Sequence, residues 1–280
     1  MKTHITLLGA GGKMGCRLTD NLKAHPDYAI DYVEVSPVGL ANLAARGVTA
    51  TERDQALARA DVVVLAIPDR AIQTITRDVV PRLRPGTMVL GLDPAAAHAG
   101  VMPARPDITY FVAHPCHPPL FGDHAPAGPK TDWFGGAGEA QSVVCALYQG
   151  PEEHYLRGER LAAAMFGPIL RMHRITVEQM ALLEPAVVES TGICCVIVMK
   201  MALDRAVEMG VPEEAAWDFV LGHIRTELAI VFGFAGFPFS DGAKKAVEQN
   251  MKRIFRDDWQ NVLEPEAVRQ SVRDITHAVG

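Results

Sequence analysis

Up to about position 175 the chain alternates short apolar runs with segments of helical period, and beyond it only helical periods remain. The apolar runs at 4–8, 29–33, 62–67, 88–92 and 110–113 predict strands, with further strands at 141–148 and 170–175. Val62-Val63-Val64-Leu65-Ala66-Ile67 is apolar without interruption, the mark of a parallel strand covered on both faces. Helical segments are expected at 16–22, 40–45, 55–58, 71–80 and 152–166. The alternation predicts an α/β fold, a Rossmann-like doubly wound and mostly parallel sheet over 1–175, followed by an all-α domain over 176–280.

The second half opens on a long helical pattern from about 177 to 209, closed by Gly210 and Pro212. Pro185 falls inside it, removes the donor to the Ala181 carbonyl and predicts a kink. The stretch Gly192-Ile193-Cys194-Cys195-Val196-Ile197-Val198-Met199 is apolar on all sides. It is too short to span a bilayer, and burying it calls for packing against a second copy, so a homodimer is expected.

The glycine run Gly9-Ala10-Gly11-Gly12-Lys13-Met14-Gly15 lies between the first strand and the first helix. Glycines there permit a tight turn and close approach of a pyrophosphate to a helix N-terminus. Glu34, 19 positions past Gly15 at the end of the second strand, suits the ribose hydroxyls and would repel a 2′-phosphate. The pair predicts NAD as cofactor, with Gly9, Gly11, Gly12, Lys13, Met14, Gly15 and Glu34 as its contacts. Pro68 and Asp69 end the strongest strand at the sheet's carboxyl edge, where such folds bind ligands, and join that set.

Across the same edge, His114-Pro115-Cys116-His117-Pro118-Pro119 holds two imidazoles on a stiff path. On the long helix, Glu184 falls on an apolar stripe, where a carboxylate needs a partner or a metal. In an α-helix Glu189 lies about 140° away from it and aligns instead with Glu178 and Lys200, a row that is either functional or a solvated or intersubunit charge row. Lys200 is either a tuned amine or the partner of Asp204, and the pair is preferred. His114, Glu184, Glu189 and Lys200 are the candidate catalytic residues, with His114 and Glu184 the candidate ligands of a divalent metal such as zinc or magnesium. Ser240 or Asp241 caps a later helix bearing Lys244 and Lys245 and could offer an anion site.

The net charge of −6 and the lack of a basic patch argue against nucleic acid as a partner. Five cysteines with no CxxC pair fit a reducing compartment, and adjacent Cys194 and Cys195 read as small core residues. No secretory leader pattern precedes the first strand, so a cytoplasmic protein not associated with membranes is expected.

Taken together, the motifs GAGGKMG, DVVVLAIPD, HPCHPP, ITVEQMALLEPAVVEST and PFSDGAKKAVE resemble the 6-phosphogluconate and β-hydroxyacid dehydrogenase superfamily, and within it the D-apionate oxidoisomerase branch. The resemblance implies NAD-dependent oxidation of a branched sugar acid (D-apionate to 3-oxo-isoapionate) with a 1,2-carbon shift, metal-assisted and part of carbohydrate catabolism. Its logic is that of ketol-acid reductoisomerase in reverse. The Gly-xxx-Lys motif of β-hydroxyacid dehydrogenases is broken, because Val196 stands four residues past Gly192. A plain NAD-dependent hydroxy-acid dehydrogenase without rearrangement is the alternative.

Overall fold

The computed structural model describes residues 2–122 and 132–277. Seven strands form one sheet: β1 (Thr3–Leu8), β2 (Tyr28–Val33), β3 (Val62–Leu65), β4 (Met88–Gly91), β5 (Thr109–Pro115), β6 (Gln141–Gln149) and β7 (Ile169–Arg174). Their order is β2-β1-β3-β4-β5-β6-β7. The first five strands pair in parallel, β6 runs antiparallel to β5, and β7 is parallel to β6.

Alternate side chains of each inner strand serve opposite cores. Ile5, Leu7, Val62, Val64, Met88 and Leu90 face one layer, formed by α1 (Lys13–Leu22), α2 (Pro37–Ala45) and a later helix across Tyr155–Phe166. Leu8, Val63, Leu65 and Val89 face the other, formed by α3 (Arg53–Arg59), α4 (Asp69–Val79) and the short α5 (Ala95–His98). This two-sided burial explains why the β3 sequence never alternates with polar residues. The helix Tyr155–Phe166 is α6.

A capping box at Thr176 starts the second half: the Thr176 hydroxyl accepts from the Gln179 N–H at 3.2 Å, and the Thr176 N–H donates back to the Gln179 side chain at 2.9 Å. From there α7 (Val177–Ala181) continues through a π-helical segment, Leu182–Ile193, into α8 (Cys194–Glu208). The disturbance expected at Pro185 takes the form of this change of helical register. The i→i+5 ladder beginning at Ala181 lets Ala186 serve the carbonyl that Pro185 cannot.

The stretch Val177–Glu208 is 32 residues long and, by length and composition alone, sufficient to cross a membrane. Counting only 192–199 understated it. Only 11% of its most apolar window is buried within the chain, and Cys194 is exposed rather than a core residue.

Helices α9 (Glu213–Val231) and α10 (Asp241–Ile254) also leave large apolar side chains exposed. The last helix, α11 (Pro265–His277), turns back to the first half: Val268 and Val272 pack with Ala95 of α5, Ala181 and Ala186.

Candidate functional site

The glycine turn is built for close approaches. Gly9 has φ +75°, and a Cβ there would stand 2.3 Å from the Ala66 carbonyl oxygen. A Cβ on Gly15 would stand 2.0 Å from the Gly9 carbonyl oxygen, so α1 can lie against the turn only with glycine there. Helix α1 begins at Lys13 with no side-chain cap on its first amides. The first-turn amides lack intrahelical acceptors and remain as donors for an anion.

Glu34, just past β2, accepts from the Gly11 N–H at 3.0 Å and from the Val35 and Ser36 N–H groups at 2.8 Å. Partial burial favours its neutral form, but the donors of Ser36, Val35 and Gly11 outweigh that and hold the carboxyl below its usual range. A carboxylate therefore stands ionised at the rim of the phosphate cradle.

The cradle shares one cleft of about 400 Å³ with the far wall. Gly12, Lys13 and Met14 line it at the glycine turn, and Asp69, Asp93, His114 and Glu184 line it where the carboxyls gather. His114 belongs to β5 itself, paired opposite Val144, so a strand rather than a loop fixes its position. Its Nδ1 lies 2.8 Å from the Leu92 carbonyl oxygen, and its Nε2 lies 3.4 Å from a Glu184 carboxylate oxygen. A carbonyl can only accept, so Nδ1 carries a proton. In the neutral ring Nε2 then presents a lone pair to a carboxylate. Two acceptors facing each other need a proton or a cation between them.

Further carboxyls surround this pair. Burial raises Asp69, and burial, reinforced by Asp69 and Glu184, pushes Asp93 up to about 6. Glu189 is raised by burial first and then by Glu184 and Asp69, with His114 opposing. The α-helical expectation that separated Glu189 from Glu184 fails because both lie in the π segment. There residues five apart lie nearer to one side, so Glu189 feels Glu184, although it is exposed within one chain and does not line the cleft.

Sequence reasoning missed Asp93, which follows β4 and accepts from the Ala95 N–H at 2.8 Å. The signal was available: an acidic residue at the carboxyl end of a parallel strand, as at Asp69. Phe134 was also missed. Its ring lies under the Lys13 ammonium at 3.9 Å, and its carbonyl oxygen lies 3.0 Å from His117 Nδ1. His117 itself has φ +61°, an uncommon conformation for a non-glycine residue.

Residues 123–276 match the family model described as phosphogluconate dehydrogenase (decarboxylating) C-term. A D-apionate oxidoisomerase from Cupriavidus necator is 48% identical over 277 residues, covering 99% of this chain and 100% of its own length. Another, from Rhizobium rhizogenes, is 46% identical over 98% of this chain and its own full length. The chain belongs to the D-apionate oxidoisomerase family. It is thus an oxidoreductase of the phosphogluconate dehydrogenase-like group, as the motif resemblance implied. A crystal structure of a semialdehyde dehydrogenase NAD-binding protein from Cupriavidus necator, in complex with calcium and NAD, superposes with a TM-score of 0.94 at 48% identity. It covers 99% of this chain and 100% of its own. An NADH-preferring ketol-acid reductoisomerase shares the fold with a TM-score of 0.68 at 17% identity, over 99% of this chain and 82% of its own.

In this oxidoisomerase family member Lys200 is not among the residues lining the cleft. It pairs with Asp204 at 2.5 Å, one turn along α8, and its ammonium lies 5.3 Å from the centre of the Trp217 ring. That is the pairing preferred from sequence, and within one chain it holds Lys200 away from the cleft. Ser240 caps α10 through the Ala243 N–H at 3.3 Å, and Lys244 pairs with Asp241 at 3.2 Å, so that motif is occupied by capping.

Proposed function

We propose that the cleft between the glycine turn and the His114–Glu184 pair binds NAD and a branched sugar acid, D-apionate, and converts it to 3-oxo-isoapionate. The observation that carries this reading is the placing of His114 Nε2 at 3.4 Å from Glu184 in the same cleft as the phosphate cradle. NAD would supply the hydride acceptor, and a divalent cation would supply a Lewis acid for the ketone oxygen. Glu34 would accept from the ribose hydroxyls and disfavour the 2′-phosphate of NADP.

The donor set fits a cation in part. A Nε2 lone pair faces a carboxylate, and the second ring nitrogen is fixed on a backbone carbonyl, as ligating histidines are. Among the described residues no three His, Cys, Asp or Glu side chains converge to hold an ion by themselves. His114 and Glu184 would therefore be two ligands, with water and substrate oxygens completing the shell. The relative's complex with calcium and NAD supports the same reading for this chain.

The secondary hydroxyl beside the substrate carboxylate gives up a hydride and a proton, leaving an α-keto acid with a tertiary hydroxyl next to it. Loss of the tertiary proton then lets that oxygen form a new carbonyl as one carbon substituent leaves the tertiary carbon for the ketone carbon, whose oxygen takes up a proton and becomes a hydroxyl. Asp93, with its carboxyl raised to about 6, can hold or release a proton near neutral pH at this wall. We further propose that the enzyme is a homodimer through the exposed apolar faces of α8 and α9, acts in the cytoplasm without membrane association, and divides near residue 175.

Incubating the protein with NAD and D-apionate, with and without EDTA, tests this reading. One NADH and one rearranged product per substrate are expected, with NADH formation lost in EDTA and restored by magnesium, zinc or calcium. An unrearranged carbon skeleton by NMR would make the protein a plain hydroxy-acid dehydrogenase. Full turnover in EDTA would remove the metal.

A further inference from the structure

The π segment is stabilised by its own side chains. Elsewhere in the molecule, helical threonines bond back four residues: Thr76 to the Ile72 carbonyl at 2.7 Å, Thr226 to Gly222 at 3.1 Å and Thr276 to Val272 at 2.9 Å. That is the ordinary α-helical habit. Within Leu182–Ile193 the same chemistry reaches one residue further. The Ser190 hydroxyl donates to the Pro185 carbonyl at 2.6 Å, and the Thr191 hydroxyl donates to the Ala186 carbonyl at 3.2 Å. Both bonds span five residues, the period of the π ladder.

Register decides what faces the cleft. In α geometry Glu184 and Glu189 are about 140° apart. With five-residue closure that angle narrows and Glu189 turns toward Glu184, close enough for the two carboxyls to repel, although its side chain is exposed within one chain and does not line the cleft. We propose that Ser190 and Thr191 are positioning residues whose hydroxyls, anchored on Pro185 and Ala186, hold the π register that turns Glu189 toward Glu184 at the edge of the cleft. Pro185 contributes from the other direction. It has no N–H for the Ala181 carbonyl, so the α register is already short of one bond at this point. That the loss of Glu189 is read as lost turnover rests on the cleft being the reaction site proposed above; the register lock does not.

A double-mutant cycle tests the idea. Glu189→Gln in the wild-type background should lower kcat/KM at least tenfold. Ser190→Ala combined with Thr191→Val should lower it by a similar factor, with NAD affinity within twofold of wild type. Adding Glu189→Gln to that pair should then cost less than a further twofold, because the carboxylate has already turned away from Glu184. Ser190→Thr combined with Thr191→Ser, which keeps both hydroxyls, should restore most of the activity.

Wild-type activity in the Ser190→Ala, Thr191→Val variant would overturn the proposal. An equal cost of Glu189→Gln in both backgrounds would do the same. If the double variant does not fold, Ser190→Ala alone and Thr191→Val alone should each give a partial loss and the same non-additivity. Amide hydrogen exchange reads the lock without any substrate. Exchange over 185–193 should quicken in the double variant while β5 stays protected, and unchanged exchange there would overturn the lock. If the wild-type protein turns over no sugar acid, the functional reading fails, and the exchange result still decides the register.

Discussion

His114 touches two chain elements at once: Nδ1 lies 2.8 Å from the Leu92 carbonyl oxygen and Nε2 lies 3.4 Å from Glu184. The first contact fixes the tautomer and the second sets a lone pair against a carboxylate. His114→Ala or Glu184→Gln should therefore lower kcat with D-apionate by at least about 100-fold, the usual scale for an acid–base or metal-holding group. NAD affinity should stay within threefold, since the phosphate cradle is untouched. Steady-state NADH formation and a fluorescence titration with NADH measure the two quantities separately.

Glu34 should govern the choice of nicotinamide. Its carboxylate gathers three backbone donors at the cradle rim. Hydrogen bonds to a charged group contribute about 1.5–3 kcal/mol, so Glu34→Ala should weaken NAD binding by roughly 10- to 100-fold. The same change should narrow the preference over NADP, as read from kcat/KM with each cofactor.

The acid at position 93 gives a pH dependence with a defined sign. Its folded-state carboxyl titrates at about 6, above the ordinary 3.8, chiefly because it is buried. Between those values the folded protein binds more protons than the unfolded one, so this group makes stability fall as pH rises from about 4 to about 6. In metal-free protein Asp93→Asn should remove that decline and raise the melting temperature at pH 7 relative to wild type. At about 1.4 kcal/mol per pKa unit the effect is at most on the order of 3 kcal/mol. Thermal melts across pH 4–8 show it. Equal slopes for the two proteins would contradict the assignment.

Exposed apolar side chains on α8 call for cover. Val196 and Met201 are each 63% exposed and Ile197 is 52% exposed, on a helix that the chain itself leaves mostly uncovered. Met201→Asp should convert the proposed dimer to monomer in light scattering at micromolar concentration, with NAD binding retained. Detergent-dependent solubility of the wild-type protein, with no dimer in any condition, would instead favour a lipid surface for this face.

The sheet was legible because its strands are buried on both faces, which leaves unbroken apolar runs such as Val62 to Leu65. The cradle was legible because Gly9 and Gly15 are demanded by backbone approaches that no other residue allows. Glu184 announced itself as a charge on an apolar stripe. The angle between Glu184 and Glu189 was not legible because helical periodicity assumes one register, and nothing local in the sequence advertises twelve residues of another. Asp93 was hidden because it follows the strand by two residues and looks like an ordinary Asp-Pro turn.

The packing of Val268 and Val272 on Ala95, Ala181 and Ala186 makes α11 a rivet between two elements of the cleft's far wall. One side of that rivet is the helix just after Asp93, and the other is the first turn of the segment bearing Glu184. The spacing of Asp93 and Glu184 along that wall is thus held by residues far along the chain. Clipping or crowding the C-terminal helix, as by proteolysis or a bulky fusion, should look like an active-site lesion: poor turnover from a protein whose cofactor cradle is intact.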